Sequence, residues 1–450
     1  MTRRRTRRRL LTGIGLLLVF SLVAAACGDE ETAETTQAPA TTQAPATTQA
    51  PATTQAPATT QAPATTQAPV TTEAPLTPLT LRLGRFPAGA GAAFLTQFMI
   101  NEDLVEEAGL EFGYDLDVEW LNMANAVATA QSLLSGDLDI GPMGSAAYIA
   151  LVVEEQPVTP IAVAEGHFKF LIAVRGDSDI RNPQDLVGRK VGTIFGTGLV
   201  DALAAMLEPI FGTADAEEIG IELVNVSGIA PLATVAEGMD ASIVTVPSWL
   251  SAREDLGVTA IYNSYGYTED HYEGPLGSGA GILIPEAENS PFWPDGFVSH
   301  RAITVARDGI IEDHPGAVAA YLLATQRAIE DLQMRTPANV ASLSSADWRL
   351  LPHVAAPIVS EELLLLRGWA WLTEGEAEVM LLQGDILLAA GSLSGPVTWD
   401  AMMASMAKGG GVAKMAYDAA GGVPGADVFA DVTVDRRGPP AWETGSWTAP

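Results

Sequence analysis

Small and hydrogen-bonding residues fall where short apolar segments end and Ala-rich segments begin: Pro87, Ala88 and Gly89; Met123, Ala124 and Asn125; Gly144 and Ser145; His167; Thr197 and Gly198; Ser248 and Trp249. Asn125, Ser145, Thr197 and Ser248 are hydrogen-bond donors. Backbone N–H groups exposed at the start of a helix hold a carboxylate, sulfonate or nitrate without any cationic side chain. Each of these polar residues serves equally well as a helix cap. The loops carry no Lys or Arg, which argues against a doubly charged anion. Trp249, Tyr148 and Phe195 are aromatic surfaces for a flat ring or an alkyl chain, with core packing as their competing role. This chemistry is reversible capture rather than bond making. No G-x-S-x-G elbow occurs, His167, His271, His300, His314 and His353 are dispersed, and neither H-E-x-x-H nor a G-x-x-x-x-G-K-[ST] phosphate loop is present. We therefore expect no enzyme activity, no cofactor and no metal.

These residues need elements to position them, and the elements come in a repeated order. Residues 81–86 read as a strand and 94–108 as a helix; 118–121 form a strand and 126–134 a helix, and Gly136-Asp137-Leu138-Asp139 leads into a strand from Ile140. The series restarts with a strand over 190–195 and a helix over 199–207. A strand over 221–226 and a helix over 231–237 follow, and Gly238-Met239-Asp240 leads into a strand over 242–246. Two α/β lobes are expected: residues 78–175 with 276–450, and residues 176–275. The crossovers are placed near 175–181 and 274–281, where Gly274, Gly277, Gly279 and Gly281 would absorb a hinge rotation. Strand carboxyl ends and the helix N-termini after them then face one another across a cleft. Further helices fit 317–332, 361–372, 374–390 and 399–407, all assigned to the first lobe.

Composition removes other classes. The 450 residues carry 24 Lys+Arg against 55 Asp+Glu, a formal charge of -31 that opposes binding to nucleic acid or anionic lipid. A single Cys excludes a disulfide framework, a Cys-based zinc site and an iron–sulfur cluster. Residues 1–26 read as an export signal, because six Arg precede an apolar run too short for a permanent span. Leu22-Val23-Ala24-Ala25-Ala26-Cys27-Gly28 resembles a bacterial lipobox, which makes Cys27 the lipidation site and the lipid on it the membrane anchor. Thr6-Arg7-Arg8-Arg9-Leu10-Leu11 fits either twin-arginine or general secretion. Residues 27–77 are a tether in which TTQAP recurs every six residues; regular Pro without apolar side chains cannot form a core. Fully extended at about 3.1 Å per residue, it reaches on the order of 150 Å.

Gly136-Asp137-Leu138-Asp139-Ile140-Gly141, Asp185-Leu186-Val187-Gly188-Arg189-Lys190-Val191-Gly192, Gly196-Thr197-Gly198, Gly238-Met239-Asp240-Ala241 and His314-Pro315-Gly316-Ala317-Val318 together resemble the signature stretches of the nitrate/sulfonate/taurine-type substrate-binding proteins of ABC importers, which share a fold with thiamine-pyrimidine binding proteins. The resemblance spans about residues 79–332 and fades beyond Thr336. It implies an α/β, bilobal, type II-like periplasmic-binding-protein fold with a hinge, here with extra C-terminal helices. It also implies a monomer that captures a small organic or inorganic anion and delivers it to a separate ABC permease and its ATPase. The alternatives are a binder of a pyrimidine thiamine precursor and a non-transport sensor or surface lipoprotein.

Overall fold

A computed structural model describes residues 75–85, 93–164, 169–268, 281–294, 296–298, 302–356, 359, 370–422, 440 and 442–443. Two units, Met1–Val70 and Thr71–Pro450, divide the chain, and every described residue belongs to the second. Residues 1–26 expected to be an export signal, Cys27 and the repeats therefore lie outside the described residues.

Two five-stranded mixed sheets organise the second unit. The first is built from β1 (Thr77–Arg85), β2 (Tyr114–Asn122), β3 (Ile140–Gly144), β4 (Val158–Val163) and β10 (Ala302–Arg307), in the order β2-β1-β3-β10-β4. The second contains β5 (Phe170–Val174), β6 (Lys190–Thr193), β7 (Glu222–Asn225), β8 (Ala241–Thr245) and β9 (Thr259–Asn263), in the order β7-β6-β8-β5-β9. The two orders are the same once β1, β2, β3, β4 and β10 are matched to β6, β7, β8, β9 and β5. In each sheet the matched fourth member, β10 or β5, runs antiparallel to both neighbours, and the remaining paired strands are parallel. Buried runs such as Phe170-Leu171-Ile172-Ala173-Val174 are apolar at every position because helices cover both sheet faces.

The Gly136-to-Asp139 and Gly238-to-Asp240 turns have one structural role. Gly136 and Gly238 take φ of 81° and 95°, a conformation open to Gly at little cost. The turn then aims an Asp at the backbone of each lobe's first strand, inside β1 in one lobe and at the start of β6 in the other. Asp139 Oδ2 accepts the Arg82 N–H at 2.9 Å, and Asp240 Oδ2 accepts the Lys190 N–H at 2.9 Å. Asp139 also receives Arg307 Nε and Nη2 at 2.9 and 2.7 Å. Both Asp residues stand just before β3 and β8, at the ends of those strands away from the cleft, and tie them to their lobe's first strand.

The expected lobe boundaries need correction. β5 pairs with β8 and β9, so the outward crossover is at 164–169 rather than 175–181. Residues 281–298 pack on the second sheet: Tyr267 bridges Leu283, and the Phe297 N–H donates to Ser264 O at 2.7 Å. The return consequently lies at 298–302, not at Gly281; Gly274, Gly277 and Gly279 fall outside the described residues. The reason is that β5 and β10 are the strands each lobe receives from the crossover, and an apolar five-residue run carries no mark of the sheet it will join. The described residues flanking the two connections are held near one another: the Ala164 N–H donates to Ala302 O at 2.9 Å, and Ser264 links Phe170 and Phe297 by donating its N–H to Phe170 O at 2.9 Å and accepting the Phe297 N–H at 2.7 Å.

Helices deviate in smaller ways. The single helix expected over 94–108 is two, Ala93–Asn101 and Leu104–Glu111, broken where Asp103 adopts φ 53°. The last helix runs Trp399–Ala419, well past 407. Most of 361–372 is outside the described residues. Helix Glu374–Ala389 packs on Ser145–Val153 of the first lobe and also on Gly198–Phe211 of the second, so it bridges the lobes instead of belonging to the first alone.

Candidate functional site

The cleft edge of each sheet is where its parallel strands end. At the first, β2 leads through Met123 and Asn125 into helix Ala126–Ser135, and β3 leads through Gly144 into helix Ser145–Val153. At the second, β6 leads through Thr197 into helix Gly198–Phe211, and β8 leads directly into helix Val246–Leu256. The edges meet: a Cβ placed on Gly196 would lie 3.2 Å from Val127 Cγ2 of the opposite lobe.

Two of the proposed contact residues spend their side chains on capping. Asn125 Oδ1 accepts the Ala128 N–H at 3.0 Å, and Thr197 Oγ1 accepts from Leu199 N at 3.3 Å while donating to Ile194 O at 2.7 Å. The helices after β3 and β8 are different. Their N-cap residues, Gly144 and Thr245, make no side-chain cap hydrogen bond. These are matched positions of the duplicated lobes, so the two helices begin at equivalent points of the two edges. Each N-terminus concentrates partial positive charge. Ser145 is buried in the first turn of one, and half-buried Ser248 lies in the first turn of the other, 3.4 Å from Thr245 Oγ1. Met123 is buried in the first lobe's core, and Gly198 opens its helix, half-buried. Pro87, Ala88, Gly89 and His167 lie outside the described residues.

The aromatic expectations divide. Tyr148 is fully buried and its hydroxyl donates to Ser405 Oγ at 2.8 Å; burial raises its pKa well above the ordinary tyrosine value. Trp249 is 2% exposed, with the Arg253 guanidinium 5.3 Å from its ring. Both belong to lobe cores, where a large ring contributes more by packing than by waiting for a solute. Phe195, 48% exposed beside Gly196, stands at the rim.

Two cations at the edges were missed from sequence. Arg85 ends β1, half-buried, with Nη1 2.9 Å from Gln97 Oε1. Lys169 stands immediately before β5, beside the end of β8 because Phe170 pairs with Thr245. It is 2% exposed, and its Nζ lies 5.9 Å from the Tyr265 ring centroid. The available signal was a lone cation inside an apolar run, Phe168-Lys169-Phe170-Leu171 and Leu83-Gly84-Arg85-Phe86. A buried lysine is costly unless its charge is used. The loops proper hold none, but the strand ends beside them do.

Comparison with known proteins fits this architecture. Residues 113–268 match the family model NMT1/THI5 like, and residues 35–62, within the TTQAP repeats, match the model of the trappin protein transglutaminase binding domain. No curated protein sequence matches the chain. The fold is similar to that of the periplasmic nitrate-binding protein NrtA from Synechocystis PCC 6803 (TM-score 0.56, 12% identity, covering 76% of this chain and 89% of that one). It is also similar to the alkanesulfonate-binding protein SsuA from Xanthomonas axonopodis pv. citri bound to MOPS (TM-score 0.54, 16% identity, 72% and 98%). A third is the periplasmic aliphatic sulphonate binding protein SsuA from Escherichia coli (TM-score 0.50, 14% identity, 72% and 91%).

Proposed function

We propose, for a chain whose fold is that of the bilobal periplasmic binding proteins and whose residues 113–268 are NMT1/THI5-like, that it captures a small anion of sulfonate, taurine or nitrate type between its lobes. In this reading it works outside the cytoplasm and hands the anion to an ABC permease. The observation that carries the reading is the pair of helix N-termini after β3 and β8, begun without side-chain caps at matched points of the two edges, with Arg85 on one edge and Lys169 on the other. N–H groups aimed from two lobes with one cation from each make a site that neither lobe completes alone. No triad or activated nucleophile is part of the reading, so the solute leaves as it arrived. Among the described residues no helix is long and apolar enough to cross a membrane.

A thermal-shift screen of nitrate, taurine, alkanesulfonates, aromatic carboxylates and aminopyrimidines tests the reading, alongside native mass spectrometry of protein purified without refolding. A bound anion at 100 times its dissociation constant should add about 2.7 kcal/mol to apparent stability. A shift with the aminopyrimidine alone, or with no anion in the panel and none retained in the purified protein, would reject the anion reading.

Cys27 is the proposed anchor. Cys27→Ala should move the protein from the membrane fraction into the soluble extracytoplasmic fraction with its melting temperature unchanged. Membrane association that survives the substitution would show that lipid on Cys27 does not hold it.

A further inference from the structure

Two helices beyond Thr336, Pro337–Trp348 and Glu374–Ala389, each reach from one lobe to the other. Helix Pro337–Trp348 packs along Ala93–Asn101, the helix after β1, and touches Val246–Leu256, the helix after β8. Helix Glu374–Ala389 packs on Ser145–Val153, after β3, and on Gly198–Phe211, after β6. The match that exchanges the lobes, β1 with β6 and β3 with β8, turns the first pair of partners into the second. One bridging helix therefore stands at each of two equivalent sides of the boundary between the lobes.

Equivalent in place, the bridges differ in grip. Helix Glu374–Ala389 is rooted beside the outward crossover: Ala370 O accepts the Val163 N–H at 2.6 Å at the end of β4, and the Ala370 N–H donates to Oε1 of buried Gln326 at 3.1 Å. The Glu376 carboxylate, 4% exposed, closes the first turn on the Thr373 N–H at 2.9 Å. At Gly384 the approach leaves no room for a side chain, since a Cβ there would overlap Val397 Cγ1 and lie 3.7 Å from Ile149 Cγ2. The two lobe helices that it bridges also touch each other directly. Helix Pro337–Trp348 is held mainly by the first lobe, where Arg335, just before it, sets its guanidinium 4.6 Å from the Phe98 ring centroid. Its buried face, Val340, Ser344 and Trp348 at four-residue spacing, includes the Ser344 hydroxyl, which has no hydrogen-bond partner among the described residues and so loosens the seat. Its hold on the second lobe is the lighter of the two.

We propose that helix Glu374–Ala389 is a second pivot beside the crossovers and helix Pro337–Trp348 a gate, so that the lobes part between Pro337–Trp348 and Val246–Leu256 and a solute passes on that side. When two bodies swing apart the weaker interface yields first, and the firmer one becomes the axis. The device needs only the two-lobed fold and is independent of which solute is captured.

Spin labels on introduced thiols test this in the full chain carrying Cys27→Ala, which has no other thiol. Ala346→Cys with Leu256→Cys spans the gate, Asp385→Cys with Glu208→Cys spans the pivot, and Ala346→Cys with Asn101→Cys stays within the first lobe; all five positions are exposed or half-buried. Each variant is refolded from urea to remove retained solute and qualified by a melting temperature equal to the parent's, with exposed Ser342→Cys replacing Ala346→Cys if that variant melts early. Pulsed dipolar spectroscopy should give one distance for the pivot and first-lobe pairs and, for the gate pair, a second distance longer by about 5 Å or more. A pivot pair that lengthens as much as the gate pair overturns the pivot and leaves the axis at the crossovers alone. Lengthening of Ala346 to Asn101 at a fixed Ala346 to Leu256 distance overturns the gate, because the helix would then travel with the second lobe. Single distances for all three pairs overturn both.

Discussion

Asp139→Ala should destabilise the protein by about 3 kcal/mol, whereas Asp240→Ala, at the matched turn of the other lobe, should cost about 1 kcal/mol. Both Asp side chains accept a backbone N–H from the first strand of their lobe. Only Asp139, with its side chain 2% exposed, is also gripped by Arg307, through Nε at 2.9 Å and Nη2 at 2.7 Å. Removing the carboxylate leaves a guanidinium in a site that no longer compensates it, a loss commonly worth 3–5 kcal/mol. Arg307 retains some solvent access, so the lower end applies. Asp240 is half-buried and pairs with a neutral donor, so its loss is that of one ordinary hydrogen bond. Urea unfolding measures both. Arg307→Ala added to Asp139→Ala should cost little more, because the pair fails as a unit. Equal costs for the two Asp substitutions would show that Arg307 adds nothing at the first staple.

Lys169→Met should weaken binding of a sulfonate or nitrate by roughly 10- to 100-fold, the loss of one hydrogen bond between charged partners. Met keeps the length and the apolar stem that pack against the neighbouring Tyr265 ring, so the substitution removes charge more than volume. Arg85→Gln should have a smaller effect, since Arg85 Nη1 is already committed to Gln97 Oε1. Binding of the same anion should also weaken with rising salt in the parent protein, and less steeply in Lys169→Met. Calorimetry at two ionic strengths checks both claims. Unchanged affinity in both variants would move the anion away from these sheet edges, and a melting temperature lowered as much as the affinity would make Lys169 a structural residue.

The duplicated order of strands and helices, the Gly and Asp turns that precede β3 and β8, and the TTQAP repeats are all legible in the sequence alone. Each is written in a window of a few to about fifteen residues, through hydrophobic period, turn chemistry or simple repetition. The competing cap reading of Asn125 and Thr197 was equally local, and capping is what both side chains do. Tertiary structure decided what no window contains. β5 could have continued the first sheet until pairing with β8 and β9 claimed it for the second. Arg307, 168 residues after Asp139, makes one of two equivalent turns stronger than the other. Lys169 becomes an edge cation only because the chain crosses between lobes just before β5, and helix Glu374–Ala389 bridges the lobes only by packing on a helix of each. Local propensity acts on neighbours in sequence; sheet membership, charge partners and cleft walls depend on contacts between segments far apart in the chain, and those exist only once the chain has closed on itself.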